Sequence, residues 1–223
     1  MTKVGARIHN MKNLIIYGAG GFGREVAWMV ERLNCRHQEW NLLGFVDDVK
    51  TELHGKKLNG LPVLGGKEWF AANQEEIYVT CPVGSSKGRR SMYEHLAQYA
   101  NVKWAVLIDP TAIVGTTSSI GSGSIVCCGA RITVNSKIGM GVVINHGSAV
   151  GHDARLCDYA TLYVNSVVSG TVEIGENTEI GSGAFIREYL KVCRDVVIAP
   201  LTSVLSDISV PGTYAGNPAR RFK

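Results

Sequence analysis

The chain has 223 residues, 45% of them hydrophobic, 19% charged and 8% aromatic. That balance supports one or two globular domains with packed cores and excludes a disordered polyelectrolyte. With 23 basic residues against 19 acidic ones the formal net charge is only +4, too little to suggest a nucleic-acid partner or a polybasic membrane anchor. The runs Lys87-Gly88-Arg89-Arg90 and Arg220-Arg221-Phe222-Lys223 read as solvated surface. No apolar run reaches the roughly 18 residues of a membrane span, and Met1 to Asn10 lacks the apolar centre of a signal peptide, so the expectation is a cytoplasmic protein. Of the six cysteines, Cys127 and Cys128 are adjacent and none forms a CxxC pair. Reduced thiols, mostly packed as small buried residues, fit better than disulfides or a thiolate zinc site.

In chain order the first element is a strand, Asn13 to Tyr17. A glycine turn, Gly18-Ala19-Gly20-Gly21-Phe22-Gly23, follows it, and a helix runs from Arg24 to about Leu33. Gly18, Gly20 and Gly23 satisfy GxGxxG, a pattern that lets backbone approach a phosphate and sets that phosphate at a helix N-terminus. A second strand, Leu42 to Val46, ends in Asp47-Asp48, about where an acidic group meets a ribose. Strands at Leu61–Leu64, Glu76–Thr80 and Val102–Val106, with a helix near Arg89–Ala100, complete a small parallel α/β sheet of Rossmann-like character over residues 1–107. The region has room for one nucleotide-binding half, which favours a mononucleotide or nucleotide sugar over NAD. A glycine turn with no ligand is the competing reading of the same motif.

From Ile108 onward a different period takes over. Ile-Gly recurs at Ile120, Ile138, Ile174 and Ile180, and every sixth residue from Ile108 to Val210 is Ile, Leu or Val. Four places after most of these stands a small residue, among them Ser124, Ala130, Ser136, Ser148, Ala160 and Ala184. Short strands that each aim one aliphatic at a common axis, with a small residue at the corner, produce this spacing. Three hexads close a triangular coil, so residues eighteen apart stack, as in Ile108, Val126, Ile144, Leu162, Ile180 and Ile198. An antiparallel sandwich would show a period of two and irregular loop spacing instead. The chain therefore divides into 1–107, a β-helix at 108–210 and a tail at 211–223.

Two histidines lie in the repeat, His146 and His152, each two places after a ladder aliphatic and so directed away from the axis. On spacing alone either is a catalytic imidazole or solvated surface. A three-histidine zinc site has too few ligands here, so no metal is expected. A nicotinamide oxidoreductase accounts for the glycine turn but leaves the repeat unexplained.

The repeat resembles that of the hexapeptide-repeat acyltransferases, whose coils form a left-handed parallel β-helix. The whole chain, a truncated Rossmann-like domain running into such a helix, resembles the bacterial sugar O-acyltransferases related to sialic acid O-acetyltransferase, including the nucleotide-4-amino-sugar N-acetyltransferases. The resemblance implies an acetyl-CoA-dependent acetyltransferase acting on the amine of a nucleotide-linked amino sugar, with O-acetylation of a sugar hydroxyl as the alternative. A non-catalytic nucleotide-sugar-binding protein is the alternative of another class. It implies that Gly18, Gly20, Gly21, Gly23, Asp47 and Asp48 hold the acceptor's nucleotide, with Gly84 and Arg89 in a second loop beside them. Asn145 and His152-Asp153 resemble the family's Asn…His-Asp/Glu motif, which makes His152 the general base and Asp153 its orienting partner, provided the corner bends to bring them together. Acetyl-CoA is expected in a cleft between neighbouring β-helices, near Tyr163, Gly170, Gly183 and Ala184. The terminal Gly216-Asn217-Pro218-Ala219 matches the family's ending and adds Asn217 and Pro218 to that set. Such a cleft implies a homotrimer. Phe22 stands where several relatives carry histidine, and His146 stands where a small polar residue is usual, so it is a second acid/base or acceptor contact in this reading. Leu156-Cys157 and Asn165 also depart from the pattern.

Overall fold

The computed structural model describes residues 11–222. The segment Met1–Asn10, including His9, and Lys223 at the end of the second basic run lie outside the described residues. The first half runs β1 (Lys12–Tyr17), α1 (Gly21–Arg36), β2 (Trp40–Val46), β3 (Lys57–Leu58), β4 (Leu61–Pro62), α2 (Glu68–Ala72), β5 (Ile77–Thr80), α3 (Ser86–Leu96) and β6 (Val102–Trp104). Strands β2, β1, β5 and β6 form, in that order, one parallel sheet. The last four residues of β1 are buried, the continuous apolar pattern of a strand covered on both faces. Helix α1 buries Val26, Ala27, Met29 and Val30, spaced for one helical stripe.

Two expectations are corrected here. Leu61–Leu64 is not a full strand of the parallel sheet: Leu61–Pro62 pairs antiparallel with Lys57–Leu58 in a hairpin, and only Val63 bridges Phe45 of β2 in parallel, with the Leu64 amide donating to Phe45 O at 2.8 Å. Asn59 and Gly60 both have positive φ, 48° and 84°, the backbone that a tight two-residue hairpin turn demands. The third helix begins at Ser86, three residues before the expected Arg89. The Ser85 side chain accepts a hydrogen bond from the Gly88 amide at 3.3 Å and so starts the helix earlier.

The second half is a three-faced β-solenoid. The first face stacks rungs from Leu107–Ile108 upward, the second from Ile113–Val114, and the third from Ser119–Ile120. Each rung pairs parallel with the one eighteen residues on, as in Val126 with Ile144 and Ile144 with Leu162. The ladder aliphatics from Val126 to Val204 merge into one core. Burying each one stabilises by about 1.5–3 kcal/mol before entropy is counted. The small residues at the corners are buried too, and their hydroxyls tie one coil to the next: Ser124 donates to Gly139 O at 2.8 Å and Ser148 to Tyr163 O at 2.8 Å. The third residue after most ladder aliphatics takes a left-handed conformation, and it is mostly Gly, Asn or Asp, residues for which that conformation costs least. Asn165, at φ 57°, meets this requirement without glycine.

The sheet domain sits on the first face. Leu107, Ile125, Cys127 and Val143 share an apolar cluster with Leu14, Ile16, Val26, Met29 and Val30. At one border of that face, Tyr93 of α3 donates to Gly123 O at 2.8 Å and stacks on Trp104. At the other border, Glu25 of α1 reaches His146. The corner between the second and third faces carries neither contact. Past the last coil, Gly212–Ala215 extends the first face as a parallel strand and Arg220–Arg221 folds back on it antiparallel.

Candidate functional site

A cavity of about 250 Å³ opens at the carboxyl ends of the parallel strands, lined by Tyr17, Gly18, Asp47, Asp48, Val49, Val83, Gly88 and Met92. It lies between β1 and β5, where the strand order reverses direction, the place at which open α/β sheets receive ligands. The four turn glycines have different physical causes. Gly18 has φ 131°, and a Cβ on Gly23 would stand 1.9 Å from Gly18 O, so both are demanded by the turn itself. A Cβ on Gly20 would meet nothing within 4 Å, and its φ is −75°. Gly20 is the N-cap of α1, a position that favours glycine over alanine, and no neighbouring atom crowds its backbone. Gly21 opens α1 on the surface, and Phe22 packs half-buried against the apolar interface cluster.

The two aspartates act on the loops that frame this cavity. Asp47 is buried, and its carboxylate accepts from the amides of Ala19 at 2.7 Å, Val49 at 2.9 Å and Lys50 at 2.7 Å. Burial alone pushes its pKa up, but the amides outweigh that and hold it below the usual carboxylate range. Asp48 accepts from the Tyr17 hydroxyl and, at 2.6 Å, from the Lys67 amide. Tyr17, a residue that sequence reasoning missed, thereby fixes one wall.

Arg89 is corrected: it is fully buried. Its guanidinium donates to Gly141 O at 2.6 Å, Val83 O at 2.6 Å, Tyr159 O at 2.6 Å and Thr161 Oγ1 at 2.8 Å. It is a bolt between α3 and the solenoid, and burial pulls its pKa down to about 10. Gly84 lies against the Tyr163 ring, where a Cβ would come 3.3 Å from the hydroxyl. Tyr163 in turn donates to Glu179 at 3.1 Å, and Glu179 accepts from both the amide and the hydroxyl of Ser86. Tyr163 therefore belongs to the same domain junction, its pKa pushed up to about 12 by burial and then by Glu179.

His152 and Asp153 project from the corner between the second and third faces. Neighbouring strand residues normally point apart, but Asp153 has φ 57°, and this turns its carboxylate back to His152 Nδ1 at 2.8 Å. Asn135, eighteen residues earlier, donates to the other Asp153 oxygen at 3.1 Å. The hydrogen bond from His152, and then that from Asn135, hold the Asp153 carboxyl below its ordinary range. The His152 side chain is 56% exposed, and its ring lies over Gly170 of the next coil. Asn145 does not join this pair: its Oδ1 accepts from the His146 amide at 2.8 Å on the neighbouring corner. His146 lies on that corner too, with Nδ1 3.0 Å from Cys128 Sγ and Nε2 3.2 Å from Glu25.

The residues expected to touch an acyl donor divide. Gly170 is at the His152 corner and Gly183 at the corner between the first and second faces. Ala184 is corrected: its side chain is buried in the solenoid core, its amide donates to Gly181 O and its carbonyl accepts from Val167 N. Asn217 and Pro218 are exposed on the returning turn, which is anchored by Ser203 N to Gly216 O at 3.1 Å and Ala219 N to Ser203 O at 2.8 Å.

Comparison with known proteins agrees with this layout. The PglD N-terminal domain family matches residues 13–96. A curated relative, GDP-perosamine N-acetyltransferase of Escherichia coli O157:H7, is 31% identical over 215 residues, covering 93% of this chain and 95% of the relative. The acetyltransferase domain of PglB from Neisseria gonorrhoeae FA1090, solved in complex with acetyl coenzyme A, is 31% identical with a TM-score of 0.86, covering 95% of this chain and all (100%) of that one. PerB from Caulobacter crescentus, solved with CoA and GDP-perosamine, shares the fold at 23% identity and a TM-score of 0.83, covering 95% and 97% of the two chains. A parallel-sheet domain docked on a hexad solenoid with a His–Asp corner defines an acyltransferase of the hexapeptide-repeat class. The chain belongs to the bacterial sugar acetyltransferase family that includes GDP-perosamine N-acetyltransferase.

Proposed function

We propose that this protein transfers the acetyl group of acetyl-CoA to the amine of a nucleotide-linked amino sugar, with His152 as general base. The observation that carries the reading is the His152–Asp153 pair. Asp153 takes Nδ1, so Nε2 is the basic nitrogen offered to a substrate. As the amine attacks the thioester carbonyl, Nε2 accepts its proton, and the imidazolium returns that proton to the departing CoA thiolate. Asp153 orients the ring and balances its charge while the proton is held. The cavity at Gly18 and Asp47 takes the acceptor's nucleotide, with Gly20 as the point of closest backbone approach. An amine is favoured over a hydroxyl because the full-length relative is named as an N-acetyltransferase of a GDP-linked sugar. Acetyl coenzyme A as donor follows the 31% identical PglB domain.

In this reading residues 1–107 bind the acceptor, 108–210 carry the chemistry, and 211–223 close the solenoid end. The nucleotide domain covers the first face and touches both of its corners, and His152 stands on the third corner. An acceptor in its own chain's cavity is therefore presented away from that chain's His152. We infer a homotrimer, whose closed symmetry gives every cavity the His152 corner of another copy. Exposed apolar side chains border the second face for such contact: Ile113, Val134, Val164, Phe185 and Leu201. A cytoplasmic reaction fits this reading, since acetyl-CoA and nucleotide sugars are its proposed substrates.

The test is His152→Ala, assayed for acetyl-CoA consumption with GDP-linked and other nucleotide-linked amino sugars. Turnover is expected to fall at least about 100-fold with folding and oligomeric state unchanged. A folded variant that turns over at the wild-type rate removes His152 from the mechanism.

A further inference from the structure

Cys128 and His146 stack one coil apart at the corner between the first and second faces, away from the His152 corner. Sγ of Cys128 is 3.0 Å from His146 Nδ1, and His146 Nε2 is 3.2 Å from Oε2 of Glu25 on α1. Thiol, imidazole and carboxylate thus stand in the order of nucleophile, base and orienting acid. The imidazole separates the other two, and among the described residues no three His, Cys, Asp or Glu side chains converge as a metal ion would need. The set is open to solvent: the His146 side chain is 28% exposed and that of Glu25 54%, and Cys128 is half-buried. Its chain neighbour contrasts with it. Cys127 is fully buried in the apolar domain junction, where burial pushes its thiol pKa up and keeps it inert.

We propose that Cys128 is a nucleophile that accepts an acyl group from a thioester, with His146 as its base and Glu25 as a positioning residue. The inference shares the acetyl-CoA donor of the function proposed above and is independent of His152. As Sγ attacks the thioester carbonyl, its proton passes to His146 Nδ1. The tetrahedral intermediate collapses by breaking the bond between carbonyl carbon and CoA sulfur. The CoA thiolate then takes the proton back from His146. One thioester is exchanged for another, CoA is released as the thiol, and no oxidant or further reactant enters.

The experiment incubates the full-length protein with acetyl-CoA and no acceptor, followed by peptide mass spectrometry with and without neutral hydroxylamine, which cleaves thioesters and spares amides. The exposed Cys35 serves as internal reference. Cys128 is expected to carry a hydroxylamine-labile acetyl group that forms at least about 100-fold faster than on Cys35. His146→Gln should bring the Cys128 rate down to that of Cys35, and Glu25→Gln should give an intermediate rate. His152→Ala should abolish acceptor turnover and leave Cys128 labelling intact, which separates the two readings. Wild-type protein that turns over acceptor while Cys128 stays unlabelled, or is labelled no faster than Cys35, overturns the inference. So does labelling that is indifferent to His146→Gln.

Discussion

The Arg89 guanidinium and the Tyr159 carbonyl, 70 residues apart in sequence, meet at 2.6 Å in the buried junction between the sheet domain and the solenoid. The same side chain also satisfies the carbonyls of Gly141 and Val83 and the hydroxyl of Thr161. Arg89→Met fills a similar volume but leaves these acceptors buried and unpaired. It is expected to cost about 3 kcal/mol or more, read from the midpoint of denaturant unfolding. Arg89→Lys should recover little of that, because an ammonium on a flexible stem does not reproduce the planar fork.

Gly170 provides the floor for His152. A Cβ at this position would stand 2.4 Å from Nε2 and 2.6 Å from Cε1. The atoms in the way are the end of an exposed side chain, which swings aside at small energetic cost. Gly170→Ala should therefore leave stability within about 0.5 kcal/mol and, with His152 as the proposed base, lower kcat about 100-fold by misplacing it. Thermal melting and steady-state kinetics on the same preparation separate the two effects.

Gly20 and Gly23 should separate ligand binding from folding. Gly20→Ala meets open space, so the variant should lose only what the poorer N-cap of α1 costs, about 1 kcal/mol or less, and bind nucleotide sugar at least tenfold more weakly, about 1.4 kcal/mol, by calorimetry. Gly23→Ala drives a methyl into the Gly18 carbonyl at 1.9 Å and should lower the melting temperature measurably. Equal binding by Gly20→Ala and the wild type would return the glycine turn to a purely structural role.

Asp47 gives a pH signature. Its folded pKa lies below the ordinary value of 3.8, so the stabilisation from its ionised form is present above that value and is lost as pH falls through the depressed one. Asp47→Asn lacks the charge that the three amides favour. The melting-temperature gap between wild type and Asp47→Asn should be constant near neutrality and narrow once pH falls below about 4.

Much of the site was legible in one dimension. The interval of eighteen that stacks Val126 on Ile144 also stacks Asn135 under Asp153 and Cys128 under His146. Those partners were overlooked because the period gives the neighbour but not the direction of a corner side chain. That direction follows from the left-handed residue three places after each aliphatic, a signal present in the sequence as Gly, Asn or Asp.

The sequence by itself determined the solenoid, its rung register and the position of the glycine turn. A fixed six-residue phase leaves only one way for the inter-coil hydrogen bonds to repeat, and Gly18 and Gly23 have local backbone causes. Tertiary structure alone decided that Arg89 is a bolt between α3 and the solenoid, since all its partners but the Thr161 hydroxyl are main-chain carbonyls, which leave no mark on side-chain sequence. It also decided that the sheet domain covers the first face and both of its corners. The apolar Leu107, Ile125 and Val143 on that face match the buried stripe of α1, and their burial leaves His152 on the corner that, among the described residues, lies away from the contacts of that domain.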